Sequence, residues 1–300
     1  SFYTRVPEHR MNSKSILNTL DNGASSLCVA LRGEENGLST FLFHGVCRNE
    51  ISARSMYPQE GLTVELFDEF IDSFLNLGYR FVGPEDIVGG NTENEGKYGL
   101  LTFDDGYFNN TWIREVLHIY GAPAVFFITT ALVIDNEKIW SDVIHCERMK
   151  RNATDAQIRR EIKELNLVPV PEIKDYITAE FGTDAFRPQG DEDRPLSPAE
   201  LREFAADPYV IIGNHTHSHG VLGNLPTERV KTELEHSQLI LADILGKTPD
   251  FISYPYEWCF EQLKDAALLT LDLQREALQS GLSLKDASFF NVQFHQGRPV

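Results

Sequence analysis

Basic residues are scarce in this chain. It carries 27 Lys and Arg against 45 Asp and Glu, a formal net charge of −18 over 300 residues. No basic stripe offsets that deficit, which disfavours binding to nucleic acid or to an anionic membrane surface. A neutral or cationic substrate or product is compatible with it. Long apolar runs are also missing: none approaches the roughly 18 residues that a membrane-spanning helix needs, so no transmembrane segment is expected. The four cysteines, Cys28, Cys47, Cys146 and Cys259, include no CxxC pair. That spacing argues against a zinc ribbon or a thioredoxin-type site, and buried thiols are the expected state. The opening SFYTRVPEHRMNSK is polar and has no signal-peptide core. A cytoplasmic location is expected, with secretion or the periplasm as the alternative if an upstream signal was removed before Ser1. There is no internal repeat and no low-complexity segment.

What is present is ordinary for a soluble globular protein. Apolar residues make up 42% and charged residues 24%, and the length fits one α/β barrel-type domain. STFLFHGV (39–46) reads as a short buried strand ending in His44 and Gly45. Val64, Phe67, Phe70, Ile71 and Phe74 recur at helical spacing and predict an amphipathic helix over 63–77. Strand-like stretches follow at 79–82, 98–103, 124–129, 209–213 and 250–254, with helices expected at about 110–120 and at 226–245. Val230, Leu234, Leu241 and Leu245 form the apolar face of the second of these. Strands and helices alternating at this rhythm imply βαβ units and a parallel sheet. Residues 135–195 break the rhythm: they are polar, mostly helical in pattern, and read as an insertion over one end of the fold. Ser197, Pro198 and Glu200 then spell a helix start, with Ser197 as N-cap and Glu200 closing a capping box.

Chemistry-bearing residues gather where strands end. LLTFDDGY (100–107) sets Asp104 and Asp105 side by side after an apolar run. A plain turn is one explanation, since Asp-Gly is a common turn signal. NHTHSHG (214–220) places His215, His217 and His219 after the next strand but one. Imidazoles and a carboxylate suit a first-row metal, and catalytic zinc sites use three protein ligands with one position left for water. FISYPYEW (251–258) and FLFHGV (41–46) end two further strands. In parallel α/β folds the C-terminal edge of the sheet carries the active site, because loops from several strands meet there.

Together TFDDG, H-T-x-x-H and the strand-end Pro-Tyr resemble the NodB-type polysaccharide deacetylases, carbohydrate esterase family 4. GAPAVFFITT, IIGNHTHSH and the Glu233/Ser237/Gly246 pattern extend the likeness. It runs from about residue 39 to 258, leaving out the insertion. The resemblance implies a distorted (β/α) barrel with a mostly helical insertion at about 135–195, preceded by an N-terminal extension over 1–38, the NodB-like domain being 39–300. It implies a metal-dependent N-deacetylase acting on an N-acetylated carbohydrate. By position, Asp104 takes the general-base role and Asp105, His215 and His219 hold a divalent metal: zinc first, with cobalt, nickel or manganese as alternatives. Tyr256 offers its backbone N–H to the oxyanion. The general acid is His44 if the chain follows the permuted poly-N-acetylglucosamine branch, or His295 if it follows the common order.

Physical chemistry supports the same roles. A carboxylate beside metal-held water eases proton removal, and a histidine across the site can protonate a leaving amine. Adjacent residues on a regular strand point to opposite faces, so a turn at 104–106 has to re-aim one carboxylate. His217 is expected to pack or face solvent, Asp142 to cap a helix, and Trp140 and Trp258 either to stack on sugar or to sit in the core. Ser253 stands where many family members have an arginine, and Glu257 where glycine is usual. Two further readings follow from those departures and from the insertion: an amidohydrolase or deformylase for a small amide, and an inactive carbohydrate-binding relative.

Overall fold

A computed structural model describes residues 37–48, 62–90, 92, 96–255, 275, 294–295 and 298–299. Strand β1 (Gly37–Phe43) opens the described fold, and β2 (Val46–Cys47) follows it. Pairs of residues at β3 (Leu62–Thr63) lead into helix α1 (Val64–Asn76). Thr63 caps that helix, its hydroxyl accepting from Leu66 N–H at 3.1 Å. Phe67, Phe70, Ile71 and Phe74 are its buried face, as the spacing predicts, while Val64 is half-buried. Strand β4 (Tyr79–Phe81), helix α2 (Pro84–Val88) and strand β5 (Lys97–Phe103) come next.

The helix expected at about 110–120 begins as a 3₁₀ segment, Phe108–Ile113, before α3 (Arg114–Tyr120). Strand β6 (Ala124–Ile128) is buried at every residue. Helices α4 (Thr130–Asp135), α5 (Trp140–Lys150), α6 (Asp155–Leu165) and α7 (Val170–Phe181) carry the chain through the insertion. Helix α8 (Pro198–Phe204) starts at the expected capping box: Ser197 Oγ accepts from Glu200 N–H, and Glu200 Oε2 accepts from Ser197 N–H at 2.9 Å. Strand β7 (Val210–Asn214) and helix α9 (Thr227–Leu245) follow. In α9 the residues buried are Ser237, Leu241 and Ile244; Val230, Leu234 and Leu245 are only half-buried. The expected strand at 250–254 is reduced to one parallel bridge, Ile252 to Asn214. The last described pieces, β8 (Phe294–His295) and β9 (Arg298–Pro299), pair antiparallel.

The architecture is α/β, a partial barrel of parallel strands carrying a mostly helical insertion. Strand β5 lies at its centre. It pairs with β1 along its whole length, with β4 at 97–99 and with β6 at 101–103. Strand β6 pairs in turn with β7. All of these pairings are parallel, so His44, Asp104, Thr129 and His215 emerge at one edge. Among the described residues the sheet is an open arc. Phe43, Phe103 and Phe126 stack across it at centroid distances of 5.1 and 4.9 Å, and Phe204 packs edge-on against Phe126 at 4.7 Å. Burying such rings supplies most of the driving force for the layer. A second core lies in the insertion, where Ile139, Trp140, Val143, Ile144, Ile158, Ile173, Ile177 and Phe186 pack together. Tyr107, two residues beyond the Asp pair, belongs to that second core. The insertion is therefore tied to the edge where the strands end.

Candidate metal centre

The apolar strand β5 ends in a backbone reversal. Asp104 N–H still donates to Phe43 O at 2.9 Å, continuing the ladder with β1. Asp105 then takes φ +77° and Gly106 φ +85°. Left-handed backbone is unusual without glycine, though aspartate tolerates it better than most residues. A Cβ at Gly106 would sit 3.1 Å from Ile128 Cδ1, so that position accepts only glycine without strain. This bend lets two neighbouring carboxylates serve the same side of the sheet.

The second half of the centre is the loop after β7. Thr216 has φ +67° and His219 φ +57°. A β-branched residue at positive φ costs on the order of 1–3 kcal/mol and has to be held by its surroundings. Asn214 does so. Its Oδ1 accepts from Thr216 N–H and from Ser237 Oγ, both at 2.8 Å, and its Nδ2 donates to Gln238 Oε1 at 2.8 Å. Glu233 accepts from Ser218 N–H at 2.8 Å and from Ser218 Oγ at 2.9 Å. Helix α9 thus supports the loop through Glu233, Ser237 and Gln238. On the other side, Thr130 N–H donates to Thr216 O and Ala131 N–H to His217 O, which satisfies the first free donors of α4.

These two loops bring Asp105, His215 and His219 together. One ligand atom from each lies within 4.8 Å of the others. Asp105 Oδ1 is 3.0 Å from His219 Nε2 and 3.6 Å from His215 Nε2. Asp104 Oδ2 stands 3.7 Å from His215 Nε2. The side chains of Asp105 and His215 are 6% and 2% exposed, so a cation here would be held largely out of water. His215 Nδ1 is 2.9 Å from Ser253 O. A carbonyl only accepts, so Nδ1 carries the proton and Nε2 presents a lone pair toward Asp105. Burial, with His219 beside it, pushes the His215 imidazole down to about 3, which keeps it neutral at physiological pH. Burial on its own would raise the Asp105 carboxyl, but His219, His44 and His215 together hold it well below the usual carboxylate range. An ionised carboxylate and a neutral, correctly oriented imidazole are what a divalent first-row ion requires. The donor set fits such an ion.

The remaining expected residues divide three ways. His44 is half-buried just past β1; its backbone carbonyl accepts from Asn110 Nδ2 at 2.7 Å, and a charge on its ring is felt at both Asp105 and His215. His217 turns away: its Nδ1 meets Thr130 Oγ1 at 2.9 Å and its ring lies 4.3 Å from that of His236. Tyr256 and Trp258 lie outside the described residues, as does the side chain of His295 on β8. Asp142 does not cap α5, whose N-cap is Ile139. It is buried and accepts from Tyr107 Oη at 2.6 Å, with burial raising its carboxyl to about 7. Trp140 is 3% exposed and belongs to the core of the insertion. Sequence reasoning missed Asn214 and the Ser253 carbonyl as supports. A polar residue closing an apolar strand, immediately before the histidines, is the one local signal for Asn214; a backbone carbonyl leaves none.

Comparison with known proteins bears on the same stretch. The family model described as polysaccharide deacetylase matches residues 91–269. The nodulation protein NoeA of Rhizobium meliloti is 54% identical over 49 residues, which are 16% of this chain and 10% of that protein. The chain thus spans about a tenth of the length of that curated relative. The Streptococcus pyogenes deacetylase PplD, solved in complex with acetate, is 18% identical, with 77% of this chain and 79% of that one covered and a TM-score of 0.48. IcaB from Ammonifex degensii is 18% identical, with 74% and 76% covered and a TM-score of 0.46.

Proposed function

The chain belongs to the polysaccharide deacetylase family, and from that premise we propose that it is a metal-dependent hydrolase removing N-acetyl groups from an N-acetylated sugar or polysaccharide. One observation carries the reading: Asp105, His215 and His219 converge within 4.8 Å, with Asp104 3.7 Å from His215. We take zinc as the first candidate metal, because nitrogen and carboxylate donors in a set of three suit it and leave a position open.

A divalent ion held there supplies Lewis acidity, lowering the pKa of water toward neutrality and polarising the amide carbonyl. Asp104 acts as general base and takes a proton from the attacking water. The oxygen adds to the acetyl carbon, and the charge that develops on the carbonyl oxygen is met by the Tyr256 backbone N–H. His44 donates a proton to the sugar nitrogen as the C–N bond breaks. Acetate and a free amine leave. His44 is assigned the acid role because it leaves β1 at the same edge of the sheet as Asp104 and His215; this is the order of the permuted poly-N-acetylglucosamine branch. The insertion over 135–195 roofs the same edge as part of the one NodB-like domain.

The test is acetate release from N-acetylglucosamine oligomers together with metal analysis of the purified protein. Release should stop on chelation and return with zinc. Asp104→Asn should abolish release while the bound metal stays. Undiminished release by chelated protein or by Asp104→Asn refutes the proposal.

A further inference from the structure

Two neighbouring asparagines, Asn109 and Asn110, have no part in the chemistry above, yet they are only 0% and 1% exposed. They lie in the 3₁₀ segment Phe108–Ile113, just past the Asp104–Asp105 bend. The parallel register of β1 with β5 runs to Phe43 opposite Phe103, and Asp104 N–H adds a last rung to Phe43 O. Beyond that rung the asparagine side chains hold the stretch that carries His44. Asn110 Nδ2 donates to His44 O at 2.7 Å. Asn109 Oδ1 accepts from Val46 N–H at 2.9 Å, and its Nδ2 donates to Glu192 O at 2.9 Å. A backbone N–H only donates and a carbonyl only accepts, so both ends of the Asn109 amide are assigned by their partners. The end of the insertion braces the same turn: Phe108 N–H donates to Arg194 O and Leu196 N–H to Gly106 O, both at 3.0 Å. Between the two anchored residues of the acid loop stands Gly45, whose backbone freedom makes the anchors matter. The fold alone gives little reason for an amide at 110. Among the described residues its Oδ1 is buried with no partner, a cost that a leucine of similar shape would avoid.

We propose that Asn110 is a positioning residue for protonation of the leaving amine: it holds the His44 carbonyl and thereby sets where the His44 ring stands against Asp104 and the metal centre. Asn109 fixes the far side of Gly45 and ties the same turn to the insertion. Base and acid are then spaced by one braced turn rather than by two independent loops. This role rests on the deacetylase reading above, with His44 as acid. A purely architectural role, packing the turn at 106–110, makes a different demand: it would act whether or not the His44 imidazole is present.

Asn110→Leu removes the donor and keeps the volume; where it does not fold, Asn110→Ala takes its place. Either variant should lower kcat for acetate release from N-acetylglucosamine oligomers by about 10–100-fold, with KM and bound zinc little changed. The decisive comparison is made in the His44→Asn background. There the same substitution should cost less than about twofold, because the group it positions is already gone. Asn110→Gln, which retains a donor, should recover part of the rate. Equal losses in the two backgrounds overturn the proposal, as does full activity of Asn110→Leu. A second readout needs no turnover. In protein carrying isotopically labelled histidine, the His44 ring resonance is assigned by its disappearance in His44→Asn. It should shift in the variant at 110, while the resonances of His217 and His236 stay; an unshifted His44 signal also overturns the proposal. If zinc-loaded wild-type protein releases no acetate, the deacetylase reading falls, and the resonance alone judges whether Asn110 holds His44.

Discussion

Replacing Asn214 by alanine tests whether the histidine loop is held in shape by helix α9. Asn214 is 3% exposed, and its amide makes hydrogen bonds to Thr216 N–H, Ser237 Oγ and Gln238 Oε1. Ser237 keeps a second acceptor, Leu234 O at 3.1 Å, so its loss is small. Thr216 N–H is buried beneath a residue that is 0% exposed and has only the Asn214 side chain as its described acceptor. Stranding that donor costs about 1–3 kcal/mol, and each remaining bond about 1 kcal/mol. The sum, with the Ser237 bond neglected, is about 2–4 kcal/mol, since burial leaves little room for water to substitute. For a chain of this length that corresponds to a melting temperature lower by about 4–16 °C. Thr216 also loses the contact that holds its φ at +67°, so His215 and His219 on either side relax out of register. Outer-shell losses of this kind lower metal affinity by about 10–100-fold. Chelator competition measures the affinity and calorimetry the melting temperature. Ser237→Ala, which removes a single bond to Asn214, should shift both by much less. If Asn214→Ala melts early yet binds zinc within about threefold of wild type, the loop does not depend on Asn214 for its geometry and the argument fails.

Two further outcomes are expected. His44→Asn should lower kcat by about 10²–10⁴-fold with KM little changed, whereas His295→Asn should not; the reverse result moves the acid to His295. Asp142→Asn should raise the melting temperature of the metal-free protein above pH 7. The Asp142 carboxyl titrates at about 7 in the folded state against 3.8 otherwise, so its contribution is full below pH 3.8 and is lost as pH rises through 7. The difference between variant and wild type should therefore vanish near pH 4 and grow to at most about 4 kcal/mol at alkaline pH; a pH-independent difference contradicts the assignment.

Local patterns in the sequence were reliable where the physics is local. The spacing of Phe67, Phe70, Ile71 and Phe74 needs only a helix and a core to bury against. The Ser197/Glu200 box is closed within three residues. The strand-end carboxylates and histidines could be read as one site because parallel strands end at one edge. What stayed hidden depends on distant partners. Asp142 looks like a helix-start residue until Tyr107, 35 positions earlier, is seen to donate to it. The segment at 250–254 has strand-like residues but makes one bridge at Ile252, since propensity cannot say whether a neighbour continues alongside. Leu245 and Ile244 are adjacent on α9, and which of them faces inward depends on where the sheet lies.

The left-handed bend at Asp105 has a consequence for how this chain can change. One residue is both the corner of the backbone and the donor at the corner. Glutamate would keep the charge and lose the ease of turning; glycine would turn freely and carry no charge; asparagine would turn and accept, but weakly. Few positions in a protein tie conformation and chemistry so closely that drift in one forfeits the other, and here the tie leaves aspartate with almost no neighbours in sequence space.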